Sequence, residues 1–238
     1  MKKIVCEDYN EFSTVAADFV ARQLQQNPRS VFGLPTGGTP IGMYEVLRRR
    51  VATGELDFTK ASAFNLDEYY PMKRSHPQSY YSFMMENLYN DVKFASFDIF
   101  NGEAASADEE IARYEAAISA AGGIDLQILG IGVNGHIGFN EPGNCYLLSS
   151  NLTDLADATI KANSRFFSND DKQPTAALTM GFGAIFNAKK IILLSYGKNK
   201  AGVTKKLLEG NIYTDIPASL FSLHSDFTVI MDKDAAGQ

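Results

Sequence analysis

The residues best suited to acid–base chemistry lie in one stretch, positions 125–142, which reads D-L-Q-I-L-G-I-G-V-N-G-H-I-G-F-N-E-P. His136 stands five residues before Glu141, and Asn134 lies two residues before the histidine. A carboxylate that orients an imidazole is the usual support for a histidine that acts as an acid or base. Gly135 and Gly138 allow the chain to fold back, so we expect His136 and Glu141 to meet.

A second carboxylate candidate is Asp67, which follows an apolar run in the sequence N-L-D-E-Y. A partly desolvated Asp at the end of a strand can act as a general base. Because Asp67 and Glu68 are adjacent, their side chains should point in different directions, and at most one of them faces a shared site. An Asp that caps a helix, or a solvated acidic pair, is the alternative interpretation.

A turn rich in glycine and threonine could bind a phosphate group. Thr36, Gly37, Gly38 and Thr39 lie in L-P-T-G-G-T-P, between an apolar run and a helical pattern. Glycines let the backbone approach a ligand closely, and a helix N-terminus presents free N–H groups and a positive dipole. The turn is neither a Walker A loop nor a GxGxxG dinucleotide fingerprint, and an ordinary strand-to-helix turn is the alternative.

Two basic residues could complete an anion site. Lys200 lies at the start of a predicted helix, where a cation opposes the helix dipole unless an anion is bound. Arg165 lies among aromatic residues in N-S-R-F-F. Together with the carboxylates and His136, these residues suit proton transfer on a small phosphorylated metabolite, and we expect no metal and no cofactor.

Alternating strand and helix patterns predict how these residues come together. Apolar runs predict strands at 2–6, 30–34, 61–66, 97–100, 126–131, 158–162, 190–196 and 227–231. Helical spacing predicts helices at 10–26, 41–51, 79–89, 106–121, 175–186, 199–208 and 217–223, and 145–153 is expected to be irregular. The alternation predicts an α/β fold, Rossmann-like, with a doubly wound, mostly parallel sheet and helices on both faces, in a single domain over residues 1–238. In such a fold, ligands bind outside the carboxyl ends of the strands.

Composition narrows the functional classes. A net charge of −6 argues against nucleic-acid binding and against a basic membrane-binding surface. The two cysteines form no CxxC pair, and with three histidines they give no zinc-binding spacing. The N-terminus lacks the features of a signal peptide, and no apolar run approaches the roughly 18 residues of a membrane span. We therefore expect a cytoplasmic protein with a small-molecule ligand.

Five motifs, in this order, resemble those of a known family: L-P-T-G-G-T-P, F-N-L-D-E-Y, G-I-G-V-N-G-H-I-G-F-N-E-P, N-S-R-F-F and I-P-A-S-L-F-S-L-H. Over positions 3–232 the chain resembles the glucosamine/galactosamine-6-phosphate isomerase family. The resemblance implies an enzyme of the hydrolase class, active in amino-sugar metabolism. It would convert glucosamine 6-phosphate and water into fructose 6-phosphate and ammonia, without a cofactor.

The resemblance also implies a role for each catalytic candidate. Asp67 would move a proton between C2 and C1 of the sugar through an enol intermediate. His136 would open the pyranose ring, and Glu141 would hold its imidazole. Asn134 stands where some members of the family have Asp, and it would orient the histidine because an amide cannot ionise.

For binding, the resemblance implies that the phosphate lies on the turn at 36–39 with Lys200 and Arg165, and that Tyr80 lines the sugar pocket. The segment at 143–154 departs from the family pattern, because it is more apolar and lacks a basic residue. Galactosamine 6-phosphate is therefore an alternative substrate. The chain also ends soon after its last predicted strand, without the C-terminal extension of hexameric, allosteric members, so we expect a monomer or small homo-oligomer without that regulation.

Two other functions fit the same motifs. A 6-phosphogluconolactonase of similar fold would use His136 to activate water. A sugar-phosphate sensor would bind its ligand without turning it over.

Overall fold

Seven parallel strands form the central sheet of this computed structural model, which describes residues 1–155, 160 and 173–238. These strands are β1 (Lys2–Cys6), β2 (Val31–Leu34), β3 (Ser62–Asn65), β5 (Ser96–Asp98), β6 (Leu126–Gly130), β9 (Lys190–Ser195) and β10 (Phe227–Asp232). Their order is β1-β10-β9-β6-β2-β3-β5, and every neighbouring pair is parallel. This sheet confirms the predicted fold class.

Helices cover both faces of the sheet. They are α1 (Tyr9–Gln26), α2 (Ile41–Ala52), α3 (Tyr80–Met84), α4 (Ala107–Ala120), α5 (Phe182–Phe186), α6 (Ala201–Leu208) and α7 (Lys233–Ala236). A π-helical turn, Met85–Tyr89, continues α3, and two 3₁₀ turns cover Lys198–Lys200 and Pro217–Leu223. None of the helices in the described part of the chain is long and apolar enough to cross a membrane.

The alternation of side chains along each strand divides the core in two. Ile128 packs into the apolar cluster beneath α1 and α2, whereas its neighbour Leu129 packs into the cluster beneath α4 and α6. Successive residues of a strand point to opposite faces of the sheet. A strand that is covered on both faces is therefore apolar at nearly every position, which is why β6 and β9 were predictable as uninterrupted apolar runs.

A second, antiparallel sheet was not predicted. It consists of β4 (Asp67–Tyr70), β7 (Asn151–Asp154) and β8 (Ala176–Thr179), in the order β4-β8-β7. The predicted helix at 175–186 is therefore wrong over β8, and only α5 is helical; the irregular segment at 145–153 is likewise wrong where β7 begins. Ladder bonds to strands on both sides of β8 outweigh the helix preference of its alanines, because tertiary context overrides intrinsic propensity. The predicted strand at 158–162 falls largely outside the described residues.

The strand order reverses between β2 and β6. From β2 the sheet continues through β3 on one side, and from β6 it continues through β9 on the other. A crevice forms at such a point, outside the carboxyl ends of the strands. The segments that follow β2, β3, β6 and β9 carry the candidate catalytic and binding residues. The fold therefore gathers these residues at one edge of the sheet.

Candidate active site

A cavity of about 380 Å³ opens at this carboxyl edge. Its lining includes the predicted site residues Thr36, Gly37, Gly38, Thr39, Asp67, Tyr80, Asn134, His136, Glu141 and Lys200. Arg165, the remaining candidate, lies outside the described residues. The structure therefore brings together residues that are separated by up to 164 positions in the chain.

The turn at 36–39 presents open backbone to the cavity. A side-chain carbon added at either glycine of the turn would meet no atom within 4 Å. The Tyr9 hydroxyl supports the turn from behind, because it accepts a hydrogen bond from Gly42 N (2.9 Å) and lies 3.3 Å from the carbonyl oxygens of both Gly38 and Thr39. This contact fixes the turn relative to the first turn of α2, whose N-terminus favours an anion.

Lys200 places a cation on the wall of the same cavity, at the N-terminus of α6. Burial lowers the pKa of its ammonium group. Among the described residues no carboxylate forms an ion pair with Lys200. The positive end of the α6 dipole adds to the cost of a cation at this position. An anionic ligand would relieve that cost.

Asp67, at the start of β4, supplies a carboxyl group that is only 6% exposed. Burial raises the pKa of Asp67 to about 8, and the nearby charge of Glu68 adds to the effect. A carbon added at Gly138 would lie 2.9 Å from Thr179 Oγ1 and 3.2 Å from Asp67 Oδ2. The loop can therefore approach the carboxyl group this closely only because position 138 is a glycine.

Aromatic rings enclose the Asp67 side of the cavity. The ring of Tyr80, the first residue of α3, stacks on Phe139 with centroids 6.1 Å apart and planes at 3°. It also lies 4.8 Å from the ring of Tyr69, and the two hydroxyl groups are 3.4 Å apart. Burial raises the pKa of Tyr80 well above its ordinary value. The rings keep the surroundings of Asp67 apolar.

His136 lies in a hydrogen-bonded chain with Asn134 and Glu141. His136 Nδ1 is 2.7 Å from Asn134 Oδ1, and Asn134 Nδ2 donates to Glu141 Oε2 at 2.7 Å. Glu141 Oε1 also lies 3.5 Å from His136 Nδ1. An amide oxygen can only accept, so Nδ1 carries a hydrogen and Nε2 is left to exchange a proton with a ligand. The amide thus fixes the tautomer of the histidine.

Close backbone packing holds the imidazole in place. A carbon added at Gly132 would lie 2.4 Å from His136 Nδ1, so the ring rests directly on the backbone. Ala218 N donates to Gly135 O at 3.0 Å from behind the loop. The motif I-P-A-S-L-F-S-L-H therefore supports the histidine loop. His224, at the end of that motif, is buried, and its Nε2 lies 2.8 Å from the carbonyl oxygen of Ala188.

The segment at 143–154 lies outside the cavity wall. Its backbone is fixed to α5, because Leu147 O and Leu148 O accept from Phe182 N and Gly183 N at 2.9 and 2.8 Å. The ring of Tyr146 packs 5.0 Å from that of Phe182. None of residues 143–154 belongs to the described cavity lining. The departure from the family pattern therefore lies outside the described cavity lining.

The arrangement can move protons at two points of one anionic ligand. The cavity combines a buried carboxyl group, an oriented imidazole and an anion-binding turn. In the part of the chain that the structure describes, no cluster of three or more His, Cys, Asp or Glu residues could hold a metal ion.

The sequence profile of the glucosamine-6-phosphate isomerases/6-phosphogluconolactonase family matches residues 8–230. The chain belongs to this family.

The similarity to other proteins of the family extends over nearly the whole chain. The glucosamine-6-phosphate deaminase of Clostridium novyi (strain NT) is 49% identical over 240 residues, which cover 100% of both chains. That of Clostridium perfringens (strain SM101 / Type A) is 48% identical over 99% of this chain and 98% of its own. The solved structure of a monomeric glucosamine-6-phosphate deaminase superposes with a TM-score of 0.95 at 42% identity, covering 100% of this chain and 99% of that one.

The solved structure of the 6-phosphogluconolactonase of Thermotoga maritima shares the fold of this chain. It superposes with a TM-score of 0.76 at 20% identity, covering 97% of this chain and 98% of its own. At that identity the similarity concerns the fold alone.

Two residues of this family member's site were missed in the sequence. Thr179 stands opposite Asp67 in the β4–β8 pair, and its hydroxyl accepts from Phe139 N at 3.2 Å. It was hidden inside a predicted helix, and only recognition of β8 could have found it. Phe139 lines the cavity. It could have been identified from the sequence, because it lies inside the G-F-N-E-P motif.

Proposed function

We propose that this chain is a glucosamine-6-phosphate deaminase, which converts glucosamine 6-phosphate and water into fructose 6-phosphate and ammonia. The observation that carries the proposal is that one cavity is lined by the buried Asp67, the oriented His136 and an anion-binding turn with Lys200. Deaminases that are 48–49% identical over the whole chain support the choice of reaction and substrate.

The phosphate group of the substrate binds at the turn of residues 36–39. The backbone there is open, the N-terminus of α2 follows, and Lys200 supplies a positive charge. Charge-assisted hydrogen bonds to a phosphate are about twice as strong as neutral ones. This end of the cavity therefore anchors the sugar and leaves its ring atoms between His136 and Asp67.

His136 opens the pyranose ring. Its Nε2, which carries no hydrogen in this tautomer, takes the proton of the C1 hydroxyl and delivers it to the ring oxygen as the bond between C1 and the ring oxygen breaks. The open-chain aldehyde results, and the imidazole ends in its starting form. Asn134 and Glu141 keep the imidazole oriented during this exchange. A positioned group that transfers protons contributes typically about 10²–10⁴-fold in rate.

Asp67 then acts as the base on the open chain. It removes the proton from C2, and one proton of the substrate's own ammonium group passes to the C1 oxygen, which gives an enolic intermediate with a neutral amino group. Asp67 then returns its proton to C1. The nitrogen is then doubly bonded to C2 as an iminium group, which water attacks, and ammonia leaves to give the ketone of fructose 6-phosphate. A carboxylate in an apolar setting is a stronger base than one in water, which suits removal of a proton from carbon.

Ammonia release tests the proposal. Glucosamine 6-phosphate, galactosamine 6-phosphate and 6-phosphogluconolactone are each incubated with the purified chain and with the Asp67→Asn variant. The proposal expects ammonia from glucosamine 6-phosphate with the wild-type chain and almost none with the variant. Ammonia from the galacto epimer alone would overturn the substrate assignment. Lactone hydrolysis without ammonia, or binding without turnover, would overturn the reaction itself.

We also propose a domain organisation, an oligomeric state and a cellular location for the enzyme. Residues 1–238 form one catalytic domain that acts as a monomer, and the monomeric deaminase of similar structure supports this state. We assign the enzyme to the cytoplasm, where free thiols such as Cys6 and Cys145 stay reduced. Light scattering coupled to gel filtration tests the first statement, since an oligomer at assay concentration would contradict it. Cell fractionation tests the second.

A further inference from the structure

Glu68 is buried beside the candidate base but faces away from the cavity. The residue is 1% exposed and is absent from the described cavity lining. Its Oε1 accepts hydrogen bonds from the backbone N–H groups of Tyr69 and Tyr80, and its Oε2 accepts from Tyr81, each at 2.9 Å. The carboxylate therefore bonds two of the N–H groups that a helix leaves unpaired in its first turn.

These bonds determine where α3 begins. Tyr80 and Tyr81 are the first residues of α3, and Ser79 caps the same turn by accepting from Ser82 N at 3.0 Å. The ring of Tyr80 then reaches the cavity and stacks on Phe139. A shift of this turn would move the aromatic wall that shields Asp67 from water.

We propose that Glu68 is a positioning residue of the active site, which holds the first turn of α3 and the Tyr80 ring against the cavity and acts through its charge on the adjacent Asp67. The inference rests on the proposed function, in which Asp67 is the base. Glu68 itself touches no substrate.

A purely structural cap would not need a second buried carboxyl group beside Asp67. Burial raises the pKa of Glu68 to about 7, although the three N–H donors and Arg74 act in the opposite direction. The like charge of Glu68 in turn contributes to the raised pKa of Asp67. Because the two residues are adjacent in β4, the charge of Glu68 makes Asp67 a stronger base.

The other groups around the pair do not reproduce this effect. Within the described part of the chain, the titratable side chains that interact with it are Tyr69 on β4, Tyr80 on α3, Tyr114 on α4 and Arg74 in the intervening loop. The tyrosines are neutral near pH 7 because burial raises the pKa of each. Arg74 acts on Glu68 in the direction that lowers its pKa. Among these neighbours, Glu68 alone raises the basicity of Asp67 by charge.

The variant Glu68→Gln tests the proposal, with Glu110→Gln as its control. Glu110 is also buried and accepts a backbone hydrogen bond, from Asn101 N at 2.7 Å, but it does not line the cavity. The pH profile of kcat/KM for glucosamine 6-phosphate is measured for both variants. We expect Glu68→Gln to move the acidic limb to lower pH by about one unit. We also expect its KM to rise several-fold, because an amide cannot accept all three N–H bonds, whereas Glu110→Gln leaves both quantities unchanged. An acidic limb at the wild-type pH in folded Glu68→Gln would overturn the proposal.

A second measurement does not depend on turnover. The ¹³C resonance of the Asp67 carboxyl group is titrated by NMR in the wild-type chain and in Glu68→Gln, and Asp67 must titrate at lower pH in the variant. If Glu68→Gln does not fold, Asp67→Asn serves instead. Because coupling is reciprocal, Glu68 must then titrate at lower pH than in the wild-type chain, and an unchanged titration overturns the inference. Failure of the deaminase reaction alone would leave these titrations intact, which separates the two proposals.

Discussion

The two proposed proton-transfer groups occupy opposite kinds of environment within one cavity. Asp67 is 6% exposed, lies at the start of a buried strand and is enclosed by aromatic rings. The side chain of His136 is 30% exposed, in a glycine-rich loop, and is held by hydrogen bonds to polar neighbours. The first environment alters the basicity of its residue through desolvation, whereas the second fixes an orientation and a tautomer.

The difference matches the two steps of the reaction. Ring opening moves protons between oxygen atoms, a transfer for which a partly solvated imidazole is adequate. Removal of a proton from carbon needs a stronger base and benefits from the exclusion of water. Pairs of titratable groups in contrasting environments are characteristic of sites where an acid and a base share the work.

The largest expected effect comes from replacing Asp67, on the buried side of the cavity. Asp67→Asn removes the base with little change in shape, and we expect kcat for ammonia release to fall by about 10³–10⁴-fold. Binding of the phosphorylated substrate, measured by calorimetry, should be retained because the turn at 36–39 and Lys200 are intact. A variant with more than a tenth of wild-type turnover would contradict the role of Asp67.

Replacing His136, on the partly exposed side of the cavity, should have an effect that depends on the substrate. His136→Gln removes proton exchange at the ring oxygen, and we expect kcat/KM for glucosamine 6-phosphate to fall by about 10²-fold or more. An open-chain analogue bypasses this step and should lose far less. His76→Gln is the matched control, because His76 lies outside the cavity lining. Equal losses on both substrates would show that His136 acts after ring opening.

The anion-binding end should affect binding more than chemistry. Lys200→Met removes the cation, and we expect KM to rise by about 10–100-fold, the value of one charged hydrogen bond, with kcat nearly unchanged. Lys198→Met serves as control because Lys198 is exposed and does not line the cavity. Inhibition by inorganic phosphate should weaken in parallel. An unchanged KM would remove Lys200 from the phosphate site.

The smallest effect concerns stability and separates the two environments directly. Since the pKa of Asp67 is raised to about 8 in the folded chain, the folded state binds a proton more tightly than the unfolded state between about pH 4 and pH 8. The stability of the wild-type chain therefore falls as pH rises through this window. Asp67→Asn should raise Tm by about 5 °C at pH 8 and by nearly nothing at pH 4.

His136→Gln provides the contrast for this measurement. The imidazole is held by hydrogen bonds at a partly solvated position, so its replacement should not raise Tm at pH 8. A thermal scan in which Asp67→Asn gains no stability at pH 8 would show that burial of the ionised Asp67 carboxylate does not destabilise the folded chain.

The central sheet was predictable because local pattern and tertiary environment agree. The apolar runs of β6 and β9 are covered on both faces, and Asp8, which begins α1, accepts from Asn10 N and Glu11 N as an N-cap should. The small sheet was not predictable, because Ala176–Thr179 is alanine-rich and becomes a strand only through its partners β4 and β7.

The site followed the same division. His136, Glu141 and the turn at 36–39 were accessible from the sequence because glycines and polar residues follow apolar runs. The bridging geometry of Asn134 and the contact of Thr179 with the histidine loop were not, since they depend on distances between segments. The same is true of Glu68, whose bonds to α3 join residues 12 and 13 positions apart.

The most direct test of Asp67 as the base follows the hydrogen at C2. Glucosamine 6-phosphate that carries deuterium at C2 is incubated with the wild-type chain and with Asp67→Asn, and loss of the label is followed by NMR beside ammonia release. We expect cleavage of the C2–deuterium bond to accompany ammonia release in the wild-type chain and to stop in the variant. Cleavage at the wild-type rate in Asp67→Asn would contradict the assignment of the buried carboxyl group as the base.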